Sequence, residues 1–162
     1  MIPEYSKILY ATDLTEHASS AFRHAVCVAR SSKAKVYVLH VLPEVGVAVE
    51  AQLKAVMGDE RFAKMEVEHE GEIAQKICLL IDEFIKDEWT VTSQEIDLVA
   101  SIEVHHGDPA IEIINASKRL DVDVIVMGTH TKSSLRHAVL GSVAERVLHK
   151  SPCPVMIVPL PS

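Results

Sequence analysis

Short runs of apolar residues alternate along this chain with longer segments whose apolar positions recur every three or four residues. Runs of the first kind are strands buried on both faces, as in a parallel sheet, and segments of the second kind are the helices that cross over it. Residues 7–11 and 35–41 read as the first two strands. Between them Ala18, Ala21, Phe22, Ala25, Val26 and Ala29 make one stripe of mostly small side chains, so a helix can lie close on the sheet, with Thr15 as its expected N-cap. After Pro43, Gly46 and Gly58 punctuate a connection expected to hold a short extra helix or a loop. A solvated, Glu-rich start from Glu66 to Glu72 then leads into an apolar face of Ile73, Ile77, Leu80, Ile81, Phe84 and Ile85, the second crossover helix, ending near Lys86.

The third strand is expected at 100–106. Asp108-Pro109 directly after it supplies a capping carboxylate and a proline at the first helical position, for a helix running to about Leu120. Residues 122–127 read as the fourth strand, a helix opens near Ser142, Ser151-Pro152 stops it, and 155–158 is the fifth strand. Residues 89–98 are longer than the usual αβ connection and carry no assignment. With no repeat or linker in view, the pattern predicts an α/β chain: a single domain over 1–162 built on a doubly wound, five-stranded parallel sheet.

One stretch points to a ligand. Val124 to Met127 runs straight into Gly128, a polar and basic segment follows with His130, Lys132, Arg136 and His137, and Gly141-Ser142-Val143 opens the next helix. Glycine lets a backbone approach an anion, and the free N–H groups and dipole of a helix start hold it, which is how phosphates are seated. Ser142 adds a hydroxyl that can bind phosphate or a water of a magnesium ion, though taken alone it is equally an ordinary N-cap serine. Asp13, at the end of the first strand, can accept hydrogen bonds from a base or ribose, or serve as a turn residue.

Composition narrows the partners. The 162 residues are 48% hydrophobic and 24% charged, with a formal charge of −7 and a pI near 5.7. That balance argues against nucleic acid or an anionic membrane, since both require a clustered positive field. Cys27, Cys78 and Cys153 are odd in number and far apart, so neither a disulfide framework nor a thiolate zinc site is expected. No signal peptide and no apolar run near ~18 residues are in view, which leads us to expect a cytoplasmic protein.

Several stretches together resemble the universal stress protein family, in its ATP-binding-type branch: Ile8-Leu9-Tyr10-Ala11-Thr12-Asp13, His40-Val41, Gly107-Asp108-Pro109-Ala110, the Gly128 to Val143 segment, and Ser151-Pro152-Cys153-Pro154-Val155-Met156-Ile157-Val158-Pro159. The resemblance covers nearly the whole chain. The branch's motif is Gly, two residues, Gly, nine residues, then Gly with Ser or Thr; here those places hold Gly128, Thr131, Gly141 and Ser142, so the middle glycine is replaced. The resemblance implies strand order 3-2-1-4-5, a Rossmann-like sheet of the adenine nucleotide alpha hydrolase-like type, with the ligand at the switch point between strands one and four. It implies that Ala11, Thr12 and Asp13 line the adenosine end and Val41 offers main-chain bonds to adenine. It also implies that Met127, Gly128, His130, Thr131, Lys132, Arg136, Gly141, Ser142 and Val143 surround ribose and phosphates of ATP or AMP, with Mg accompanying the nucleotide. A homodimer through the last strand is a further implication of the same resemblance; unknown protein partners would read a loop, 129–140, that differs between occupied and empty states.

Thr131 keeps a second reading open. If the glycine it replaces has positive φ, a β-branched residue there costs about 1–3 kcal/mol, and the chain would be a nucleotide-free, homodimeric stress-response interaction protein. A slow ATPase ranks third, because there is no Walker loop with its lysine, and no G-x-S-x-G elbow suggests a hydrolase. His105-His106 are neighbours on a strand and so face opposite ways, which makes them strand-end histidines rather than a metal pair.

Overall fold

The computed structural model describes residues 2–15, 17–88, 96–129 and 140–159. In chain order the elements are β1 (Lys7–Thr12), α1 (Ala18–Ser32), β2 (Lys35–Leu42), α2 (Val47–Met57), α3 (Asp59–Glu88), β3 (Val99–His106), α4 (Pro109–Leu120), β4 (Val124–Gly128), α5 (Ser142–Lys150) and β5 (Val155–Val158). The five strands pair in parallel in the order β3-β2-β1-β4-β5, so the fold is the Rossmann-like sheet expected from the sequence.

Alternation along each strand divides the core between two faces. Ile8, Tyr10, Val36, Val38, Val124 and Val126 pack under α1 and α3, where the small-residue stripe of α1 and Ile77 of α3 cover them. Leu9, Ala11, Leu39, Ile125 and Met127 face α4 and α5, meeting Ala110, Ile113, Ala116, Ala144 and Val147. Because Ala21, Ala25 and Ala29 carry so little side chain, α1 sits close enough for Tyr10 and Phe22 to approach with ring centroids 5.2 Å apart, and Phe84 of α3 joins them edge-on at 5.0 Å from Phe22.

The amino end of the sheet is closed by one carboxylate. Asp123 Oδ2 accepts from the Ser6 N–H at 2.7 Å, the Ser6 hydroxyl at 3.0 Å and the Lys7 N–H at 2.8 Å, tying the entry of β4 to the entry of β1. The opposite, carboxyl ends of the two strands are left to part, as they must where the winding reverses.

Asp108 caps α4 as the sequence predicts: its Oδ1 accepts from the Ile111 N–H at 3.0 Å, and Pro109 opens the helix. Thr15 does not cap α1. His17 holds that position without a side-chain bond, while the Thr15 hydroxyl donates to Asp13 Oδ1 at 2.8 Å and the Thr15 carbonyl accepts from the Ala18 N–H at 2.9 Å. The Asp13 turn takes up the threonine before the helix begins. The connection after Pro43 is helical: Gly46 and Gly58 bound α2, none of whose residues is buried. Leu80 is 44% exposed, outside the stripe of Ile73, Ile77, Ile81 and Phe84 that packs on the sheet, and Ile85's side chain lies outside the described set. Of the unassigned stretch, 89–95 lies outside the described residues and Ile96–Leu98 forms a 3-10 turn leading into β3.

Candidate functional site

The parting of β1 and β4 opens a cleft of about 470 Å³ at their carboxyl ends, within the range of pockets that hold small molecules. Its walls are set by strand parity. Ala11, Leu39, Val41 and Met127 point to the α4/α5 face and meet Ile113 and Ala144, so this side is apolar and suits a flat, uncharged ring. Polar groups gather at the mouth: Thr12 and Asp13 from the end of β1, Gly128 from the end of β4, and Gly141, Ser142 and Val143 at the opening of α5.

Gly141 is the N-cap of α5, in an extended conformation, and it has no side chain to close the helix. The first intrahelical bond runs from the Glu145 N–H to the Gly141 carbonyl at 2.9 Å. The N–H groups of Ser142, Val143 and Ala144 precede it, at the positive end of the helix dipole. Ser142 is therefore the first helical residue rather than the cap, and it is exposed.

The β1 end is held as a tight turn. The Leu14 N–H donates to the Thr12 hydroxyl at 3.1 Å, the Thr15 N–H donates to Asp13 Oδ1 at 3.0 Å, and Leu14 itself adopts φ 58°. Beneath the turn, Tyr10 is 5% exposed and donates its hydroxyl to the Ala18 carbonyl at 2.8 Å. Burial pushes its pKa up to about 12, with the Asp13 carboxylate adding to the rise and a hydrogen bond with the Thr12 side chain opposing it.

A short ion pair braces the far wall. Arg146 of α5 donates to Asp108 Oδ2 at 2.7 Å, joining α5 to the capped end of α4 next to the lining residue Pro109. The guanidinium, then the Ile111 N–H, hold the Asp108 carboxyl below its ordinary value, and Asp108 raises Arg146 in return. Away from the cleft, His105 lies 3.1 Å from both Glu103 and Glu112, and Glu103 also pairs with Arg119; His106 turns to the other face, 3.3 Å from Glu70. Among the described residues no cluster of three or more His, Cys, Asp or Glu is arranged to hold a metal ion. Nor is any described helix long and apolar enough to cross a membrane.

Of the residues singled out from the sequence, Ala11, Thr12, Asp13, Val41, Met127, Gly128, Gly141, Ser142 and Val143 come together in this one cleft. His130, Thr131, Lys132, Arg136 and His137 lie outside the described residues. Sequence reasoning missed Tyr10, His40, Pro43, Pro109 and Ile113, which also line it. Tyr10 and His40 read as strand residues, Ile113 as a helix residue, Pro109 as the proline that opens a helix, and Pro43 as a connection residue.

The family model described as the universal stress protein family matches residues 4–159. Two universal stress proteins of Methanocaldococcus jannaschii are similar over most of their lengths: MJ0531 is 32% identical, covering 97% of this chain and 84% of its own, and MJ0577 is 31% identical, covering 95% and 94%. The solved structure of MJ0577 superposes with a TM-score of 0.68 at 28% identity, over 99% of each chain. A universal stress protein solved in complex with cAMP shares the fold, with a TM-score of 0.57 at 19% identity over 96% of this chain and 98% of that one. The family model spans nearly the whole chain and the fold superposes along its length, and the chain belongs to the universal stress protein family.

Proposed function

We propose that this protein is a nucleotide-binding regulatory module that takes ATP or AMP in the cleft between the ends of β1 and β4. The observation that carries the reading is the meeting, in one cavity of about 470 Å³, of an apolar slot with the uncapped N-terminus of α5. Adenine fills the slot between Ala11, Val41 and Met127, with main-chain groups of Val41 bonding its edge. Asp13 accepts from the ribose hydroxyls. Gly128 and Gly141 let the phosphates approach, and the Ser142, Val143 and Ala144 N–H groups bind their oxygens. His130, Thr131, Lys132 and Arg136 complete the phosphate side. The Ser142 hydroxyl, or in place of its ribose role the Asp13 carboxylate, would offer a hard oxygen to a magnesium ion carried by the nucleotide.

One universal stress protein that shares this fold was solved in complex with cAMP. With neither a Walker lysine nor an assigned general base to support rapid hydrolysis, binding is the main activity in this reading and slow hydrolysis of the bound nucleotide the lesser alternative. The protein is read as a cytoplasmic homodimer joined through the free edge of β5; an aspartate at Ile157 then yields a monomer in sedimentation. Denaturing the purified protein and weighing what is released tests the main reading: a stoichiometric adenine nucleotide supports it, and a nucleotide-free preparation that also gains no thermal stability from millimolar ATP overturns it.

A further inference from the structure

We propose that His40 is a positioning residue of this cleft: its imidazole grips the Thr12 carbonyl and so fixes the turn that presents Asp13. The ligand half of the proposal rests on the nucleotide reading above; the grip itself does not. Thr12 and His40 are the last register pair between β1 and β2, at the point where β1 leaves the sheet for the cleft mouth. There His40 Nδ1 lies 2.8 Å from the Thr12 oxygen. A carbonyl only accepts, so Nδ1 carries the proton and donates.

The turn just past Thr12 is a conformation that needs holding. Leu14 sits at φ 58°, in the left-handed region that costs a non-glycine residue energy and persists where the surroundings over-determine it. The Thr12 hydroxyl bonds the Leu14 N–H, and Asp13 Oδ1 bonds both the N–H and the hydroxyl of Thr15. These contacts are internal to the turn. The His40 side chain is a tie from outside it, anchored on a different strand, and it enters at the residue whose position sets where Asp13 points. His40, half-buried, also lines the cleft. Loss of the tie loosens the turn at Thr12, misplacing Asp13 by the small distances to which oriented contacts are sensitive.

The tautomer is read first, in the unmodified protein, by long-range ¹⁵N correlation spectra at pH 8. A proton on Nδ1 is expected, and a ring carrying its proton on Nε2 alone overturns the proposal. His40→Asn keeps an N–H donor close to the Nδ1 place, whereas His40→Leu keeps bulk without a donor. Amide exchange at Leu14 and Thr15 is expected to speed up at least about tenfold in His40→Leu, with strand amides unchanged, and ATP affinity to fall by about the same factor, that of one hydrogen bond. His40→Asn restores both. Equal protection and affinity in His40→Leu and wild type, or an asparagine variant no better than leucine, overturns the proposal. If wild type binds no nucleotide, the nucleotide reading fails while the tautomer and exchange data still decide the grip.

Discussion

Removing one oxygen atom, in Tyr10→Phe, tests how the floor of the cleft is held. The phenol is 5% exposed and its hydroxyl donates to the Ala18 carbonyl, so at neutral pH the variant leaves that carbonyl short of a donor and costs about 1–2 kcal/mol. At this chain length that lowers Tm by about 2–4 °C for each kcal/mol. Alkaline pH gives the sharper readout. Burial raises the Tyr10 pKa from 10.0 to about 12, so its contribution is whole below pH 10 and is lost as pH climbs through the folded value. Two decades correspond to about 3 kcal/mol in total, of which about 1.3 kcal/mol disappears between pH 9 and pH 11. Urea unfolding of wild type and Tyr10→Phe at those two pH values isolates the effect, because every other tyrosine is common to both. Wild type is expected to lose about 1.3 kcal/mol more than the variant over that interval. Equal losses would refute the claim that this phenol is buried and neutral beneath the turn.

Gly107 has φ 142°, and a methyl group there would lie 3.1 Å from Glu112 Cγ; Gly107→Ala is expected to destabilise the chain by about 1–3 kcal/mol in chemical denaturation. Asp123 responds to acid. Burial alone would raise its pKa, but the Ser6 and Lys7 N–H groups, with the Ser6 hydroxyl, outweigh that and hold it below 3.8. Its stabilisation is present above the ordinary carboxylate range and is lost as pH falls through the folded value. Asp123→Asn should therefore be less stable at pH 7 and should lose less further stability on acidification to pH 3, as followed by circular dichroism.

The two strands at the centre of the site were legible because each, apolar on both faces, announces itself as a continuous run: Ile8 to Ala11 are all buried, and so are Val124 to Met127. The α4 start was legible because Asp108-Pro109 encodes its geometry locally. Strand order came from family resemblance, since nothing local in a strand says which neighbour it will pair with. The α1 cap was misread because Thr15 has two possible partners, and only the folded turn reveals that Asp13 engages it. Leu80 was misread because it lies three residues from Ile77 and so flanks the stripe of Ile73, Ile77, Ile81 and Phe84, yet it is 44% exposed. At the site, glycines and an aspartate stood out as chemistry, whereas Tyr10 and His40 looked like strand residues. Their part depends on Ala18 and Thr12, contacts that tertiary structure creates.

Calorimetric titration of ATP and AMP, with magnesium, into the wild-type protein and into Asp13→Ala measures occupancy of the cleft itself. A saturable heat at one nucleotide per chain is expected in wild type, with markedly weaker binding in the variant. No heat at millimolar nucleotide, or binding indifferent to Asp13, would contradict the assignment of this cleft as a nucleotide site.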